Sequence, residues 1–224
     1  MCEEGKDKGE KEVRIAFLGP PGAGKGTQVD LVSREYGVSV LSTGDAFRAM
    51  MKREDKLAER VRSYVEKGEL VPDEVVFEIV KEFVDNKDSF ILDGYPRNLR
   101  QAELLDDFLE GKGLALTGVV NILLDEDEIV KRLTGRLVCP QCGRVYNIYY
   151  SPPREDKLCD DCGVPLERRI DDEDDVIRQR IKVYHREMKP VVDFYQRKGL
   201  LFNVDGAGDI HEVFERIKKV LDGK

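Results

Sequence analysis

The run Val13 to Leu18 (VRIAFL) passes directly into Gly19-Pro20-Pro21-Gly22-Ala23-Gly24-Lys25-Gly26-Thr27, and a helical pattern then extends to about Tyr36. A short apolar run of this kind reads as a buried parallel strand. The glycines let the backbone turn tightly and point its N–H groups inward. The helix that follows adds partial positive charge at its N-terminus. Together they make a cradle for phosphates, with Lys25 in reach of the outer ones and Thr27 where a Mg²⁺-linked hydroxyl can sit. Gly26 stands where the general phosphate-loop pattern has Ser or Thr, and this points to a narrower group of proteins.

Further strands are expected at 39–41, 89–92, 119–124 and 200–204, with helices at about 44–67, 72–86, 99–111, 125–134 and 175–198. A last helix starts near Asp209, where Asp209 and Glu212 have the spacing of a capping box. Strand followed by helix, repeated, argues for a parallel sheet flanked by helices on both faces. Two segments break the rhythm. Residues 42–71 hold helices without a strand, and residues 136–171 hold four cysteines and many turn residues. Both are read as insertions at the carboxyl end of the sheet, where ligands bind in open α/β folds. The remaining core is 13–41, 72–135 and 172–224, and 1–12 (MCEEGKDKGEKE) is read as a disordered tail.

The charge balance is 37 Lys+Arg against 45 Asp+Glu, a net of −8. Backbone-driven nucleic-acid binders are usually basic, so no nucleic-acid partner is expected. The longest charge-free stretch is Gly113 to Leu124, twelve residues. A bilayer span needs roughly 20, so no membrane association is expected. The charged start lacks the apolar core of a signal peptide, and a cytoplasmic location follows as the expectation.

Leu41-Ser42-Thr43-Gly44-Asp45-Ala46-Phe47-Arg48 and Leu92-Asp93-Gly94-Tyr95-Pro96-Arg97-Asn98-Leu99-Arg100-Gln101-Ala102-Glu103 join the glycine-rich loop as two further motifs. With GPPGAGKGT, in this order, they resemble the adenylate kinase family over roughly residues 13–222. The resemblance implies a P-loop nucleoside monophosphate kinase fold: a five-stranded parallel sheet flanked by helices, an AMP-binding insertion and a lid. It implies reversible phosphoryl transfer between Mg-ATP and AMP, and a monomer. It assigns Gly22, Ala23, Gly24, Lys25, Gly26, Thr27, Arg132, Arg136, Val145, Tyr146 and Gly208 to ATP. It assigns Thr43, Arg48, Val71, Gly94, Arg97, Gln101, Arg169 and Arg180 to AMP. Lys25, Asp93, Arg132, Arg136, Arg169 and Arg180 are the implied catalytic set. The chemistry of these residue types agrees. Arginine forks suit phosphate, a Gln amide offers both donor and acceptor to an adenine edge, and Asp93 ends a buried strand, placed to hold Mg²⁺ through water. The family often has Lys where Gly208 stands, so only a main-chain contact carries over there.

Cys139-Pro140-Gln141-Cys142 and Cys159-Asp160-Asp161-Cys162 form a CxxC…CxxC pair separated by sixteen residues. The spacing suits a tetrahedral Cys₄ zinc site with no open position, hence structural. Two disulfides, or four reduced cysteines without metal, are the competing readings. Some adenylate kinases carry a zinc-binding lid of this kind, which the resemblance adds in support. Cys2 is left over and expected to be free. Rival functions are a kinase using another donor such as GTP, or another nucleoside monophosphate, and a zinc-ribbon binding module on an inactive phosphate loop.

Overall fold

The computed structural model describes residues 12–223. Cys2 and all of the expected tail except Glu12 lie outside them. Five parallel strands form the central sheet: β1 (Arg14–Leu18), β2 (Val40–Ser42), β3 (Phe90–Asp93), β4 (Gly118–Leu123) and, last in the chain, β7 (Leu201–Asp205). Their order is β2-β3-β1-β4-β7. β1 pairs with β3, Ile15 opposite Ile91, and with β4, Phe17 opposite Val120. The chain therefore runs outward from β1 to one side of the sheet and then to the other. The crevice at the carboxyl end of β1 is the switch point where such sheets bind ligands.

Residue alternation along each strand builds two cores. On one face Ala16, Leu18, Phe90, Leu92 and Val119 meet α4 (Asp73–Val84), α5 (Leu99–Glu110) and the long helix α7 (Asp174–Arg197). On the other, Ile15, Phe17, Ile91, Val120 and Ile122 meet α1 (Lys25–Tyr36) and α8 (Ile210–Asp222). The stripes fit: Val76, Val80 and Val84 on α4, Val213, Ile217 and Leu221 on α8. α8 starts as expected, with Asp209 accepting from the helix backbone and Glu212 closing the capping box.

The helix expected over 44–67 is two helices, α2 (Thr43–Met50) and α3 (Lys56–Val65). Ser42 caps the first and Asp55 the second, its carboxylate accepting from the N–H of Ala58 at 2.9 Å. The Arg62 guanidinium donates back to the carbonyl of Met51 and ties the break shut.

After β4, α6 (Glu126–Thr134) leads into a small antiparallel pair, β5 (Arg136–Val138) and β6 (Val145–Asn147). A turn of 3₁₀ helix, Ile170–Asp172, returns the chain to α7. The buried set of this insertion is Cys139, Tyr146, Cys159 and Leu166. That is too little apolar bulk to hold thirty-odd residues unaided.

Candidate active site

The loop between β1 and α1 is shaped by glycine. Gly22 and Gly24 lie at φ 81° and 86°, a left-handed region that side chains rarely adopt. At Gly24 a Cβ would also stand 3.7 Å from the Arg132 guanidinium, so that cation lies directly against the loop. Lys25 Nζ donates to the carbonyls of Gly19 and Pro20 at 2.8 and 2.9 Å. Burial lowers its pKa to about 8. Asp93 opposes the shift, while Arg97, Arg180 and Arg136 add to it. Asp93 Oδ2 lies 3.9 Å from where a Cβ on Gly26 would stand.

Beside the loop is a cavity lined by Lys25, Thr43, Arg48, Val71, Gly94, Arg97, Gln101 and Arg180 among others, with Phe47, Val65 and Met188 supplying apolar wall. α2 and the 65–71 segment thus face α7 and the loop that follows β3 across it. Thr43 is buried and donates to the carbonyl of Gly94 at 2.9 Å. Gly94, at φ 76°, leaves no room: a Cβ there would stand 2.8 Å from Arg97 Nη2 and 3.0 Å from Thr43 Oγ1. Arg97 Nε donates to the Gly94 carbonyl at 2.8 Å. Arg48 pairs with Asp45 one turn earlier, at 2.6 Å.

Gln101 is buried and its amide is oriented from both sides. Its Oε1 accepts from the Arg97 N–H and its Nε2 donates to Asp73 Oδ1, both at 2.8 Å. A carboxylate accepts only, and an N–H donates only, so the amide has one orientation. One N–H and one lone pair remain for a ligand.

Arg180 at the cavity wall and Arg136 beyond it are held by two carboxylates. Asp172, fully buried, accepts from Arg136 Nε at 2.7 Å and Nη2 at 2.5 Å, and from Arg180 at 3.1 Å. The Asp171 carboxylate pairs with Arg180 at 2.9 Å, and its main-chain carbonyl accepts from the same guanidinium at 2.8 Å. Arg169 differs. Its Nε is buried without a hydrogen-bond partner. Burial, with Arg136 and Arg48 close by, lowers its pKa to about 10. Burial likewise depresses Arg97 and Arg180. A desolvated cationic cluster holding an unpaired N–H is a receptor for a compact polyanion.

In the 136–171 segment the four Sγ atoms of Cys139, Cys142, Cys159 and Cys162 lie within 4.8 Å of one another, and all four cysteines are free. Cys142 and Cys159 are 3.7 Å apart. Tetrahedral thiolates about 2.3 Å from a metal would sit about 3.8 Å apart, so the donor set fits one. The two-disulfide reading is not what the structure has.

A family model described as adenylate kinase matches residues 17–200. The adenylate kinase of Archaeoglobus fulgidus is 46% identical over 213 residues, 94% of this chain and 98% of its own. That of Caldanaerobacter subterraneus subsp. tengcongensis is 47% identical over 214 residues, 94% and 97% of the two chains. That of Thermotoga neapolitana is 48% identical over 211 residues, 92% and 96%.

This chain belongs to the adenylate kinase family.

Of the residues expected from the adenylate kinase resemblance, Lys25, Thr43, Arg48, Val71, Gly94, Arg97, Gln101 and Arg180 line one cavity. Gly22, Ala23, Gly24, Gly26, Thr27, Asp93, Arg132, Arg136 and Arg169 are not among its lining residues. Gly208, at φ 107°, offers backbone only. Val145 is exposed, while the Tyr146 side chain turns inward: its hydroxyl lies 3.5 Å from Cys159 Sγ and accepts from the Asp160 N–H. Tyr146 therefore belongs to the cysteine cluster, with only its main chain left for a nucleotide. Three residues absent from the sequence reading matter here. Asp171 and Asp172 aim the arginines, and Asp73 orients Gln101. The acidic pair after Arg169 was the available signal for the first two. Nothing local marks Asp73. Among the described residues no helix is long and apolar enough to cross a membrane.

Proposed function

We infer that the chain catalyses reversible phosphoryl transfer from Mg-ATP to AMP, giving two ADP. The observation that carries this is the single crevice in which Lys25 of the glycine loop faces Arg97, Arg48, Arg180 and the oriented Gln101 amide. Phosphoryl transfer asks little covalent chemistry of a protein; positioning and charge neutralisation do the work. The acceptor is a phosphate oxygen that is already ionised, so no general base is needed. His185 and His211, both outside the crevice, fit that economy.

Each residue has a role in this reading. The 19–27 loop and Lys25 hold the outer phosphates of ATP. Arg48 and Arg97 take the AMP phosphate, with Thr43, Val71 and Gly94 shaping its side and Gln101 meeting the base through its spare N–H and lone pair. Arg132, Arg136, Arg169 and Arg180 surround the transferring group, and Arg169, whose buried Nε is otherwise unpaired, has the most to gain. Main chain at Val145, Tyr146 and Gly208 borders the ATP base. Mg²⁺ bound with ATP neutralises charge on the β- and γ-phosphates, and Asp93 would hold it through water. The four cysteines would hold zinc as a structural ion. Residues 42–71 and 136–171 act as covers over AMP and ATP that exclude water. The enzyme is read as a cytoplasmic monomer.

The nearest rival is a kinase for a different nucleotide pair. A matrix of donors (ATP, GTP) against acceptors (AMP, GMP, CMP, UMP) decides between them. The expected result is kcat/KM at least about tenfold higher for AMP than for any other acceptor, the yield of one well-placed base contact. Equal use of another acceptor would overturn the AMP assignment.

A further inference from the structure

Outside the crevice, one cluster of side chains joins the lid insertion to α6. The Tyr150 hydroxyl donates to Glu128 Oε2 at 2.8 Å. The other oxygen of the same carboxylate, Oε1, accepts from Arg132 Nε at 2.9 Å. The Arg132 guanidinium lies 5.6 Å from the Tyr150 ring centre, and Lys131 Nζ lies 5.0 Å from it. Beyond the carboxylate, Arg132 Nη2 donates to the carbonyl of Gly206 at 3.2 Å, and Nη1 stands over Gly24 of the phosphate loop.

We propose that Glu128 and Tyr150 are positioning residues: a clasp that fixes the aim of Arg132 at the phosphate loop while the 148–150 turn of the lid lies on α6. This rests on the ATP-site reading given above.

The chemistry supports a coupling rather than a decoration. Arg132 reaches Glu128 from one turn away on the same helix, and such a pair alone is weak and conformationally loose. The tyrosine hydroxyl removes the looseness by occupying the second carboxylate oxygen, and its ring covers the guanidinium from the lid side. Tyr150 is itself held at its base. Asn147 Oδ1 accepts from the N–H groups of Tyr149 and Tyr150, and Asn147 Nδ2 donates to the carbonyl of Arg132 at 2.9 Å. The hinge side is tight as well, since a Cβ on Gly135 would stand 2.6 Å from the Tyr149 ring. If the 148–150 turn lifts, Glu128 loses the Tyr150 hydroxyl and Arg132 loses the ring in the same movement. The guanidinium then keeps a freed Glu128 and the Gly206 carbonyl, and nothing holds it from the lid side.

The test is steady-state kinetics and equilibrium ATP binding on Tyr150→Phe, Glu128→Ala, the double variant and Glu128→Gln, in the full-length protein. Tyr150→Phe keeps the ring and removes one oxygen. We expect KM for ATP to rise about fivefold in each single variant, in the range of a partly exposed charged hydrogen bond, with KM for AMP unchanged. The double variant is expected to be no worse than the poorer single, because one clasp is lost only once. Glu128→Gln is expected to recover most of the loss, since its amide can still accept from Arg132 and donate to the tyrosine oxygen. Unchanged ATP KM in either single variant, a parallel rise in AMP KM, or additive losses in the double would overturn the proposal. If the wild-type protein makes no ADP from ATP and AMP, the functional reading falls instead. The same ATP-binding series still reads the clasp on its own.

Discussion

Asp172→Ala tests whether the arginine cluster is held by design. Asp172 is fully buried and accepts two hydrogen bonds from Arg136 and one from Arg180. Removing one partner of a buried charge pair costs about 3–5 kcal/mol, because the other charge stays behind. Arg136 and Arg180 keep 14% and 18% of their side-chain surface exposed, so water relieves part of the loss. Asp171 also continues to pair Arg180. The lower end, ~3 kcal/mol, is the working figure. In a chain of this length 1 kcal/mol corresponds to roughly 2–4 °C, so calorimetry of the nucleotide-free protein should show Tm falling by about 10 °C. A second effect separates this mechanism from plain damage. The variant leaves more uncompensated positive charge, so added inorganic phosphate should restore more Tm in the variant than in wild type. Asp172→Asn, which preserves shape and removes charge, should behave nearly the same. A fall under about 2 °C with normal kcat, or equal rescue of both proteins by phosphate, would refute the reasoning.

Three further outcomes are expected. Arg97→Ala should raise KM for AMP about tenfold or more, the cost of one charge-assisted hydrogen bond, and leave KM for ATP nearly unchanged; equal rises at both would count against the assignment. Lys25 has a folded-state pKa lowered from 10.5 to about 8, so between those values the unfolded chain binds the extra proton and stability rises with pH. Denaturant titrations should therefore show the nucleotide-free wild type gaining ~2 kcal/mol on Lys25→Met between pH 8 and pH 10, while that variant loses nearly all turnover; a flat difference across this window would contradict the burial of the ammonium. Chelation of purified, zinc-supplied protein should first loosen hydrogen-exchange protection over residues 136–171, leaving β1, β3 and β4 protected, because only four buried apolar side chains underlie that segment. Simultaneous loss of protection in both regions would show that the metal supports the whole fold.

The sheet and the phosphate loop were legible because their signals are local. An apolar run, a glycine turn and a helix start need no tertiary information. The Asp209–Glu212 capping box is of the same kind. The break between α2 and α3 was not legible. Met51, Lys52, Arg53 and Glu54 are all tolerated by a helix, and what ends α2 is the Asp55 cap together with Arg62 reaching back to Met51. The site was readable as a list of residues but not as a network. Arg136 and Asp172 stand 36 positions apart in the chain, and their pairing exists only once the 136–171 segment returns to α7. Asp73 orients Gln101 across 28 positions for the same reason. Tyr146 is a different case. The resemblance assigned it to ATP, and burial turns its side chain to the cysteines, which nothing in its local sequence announced.

Phosphoryl transfer between two bound nucleotides differs from hydrolysis of one in its products. The most direct measurement is product stoichiometry with purified protein, Mg²⁺, ATP and AMP, followed by chromatography. The account predicts two ADP for each AMP consumed, no free phosphate, no ADP when AMP is omitted, and return of ATP and AMP when the reaction starts from ADP alone. ADP and inorganic phosphate released from ATP without AMP, or no turnover with both nucleotides present, would contradict it.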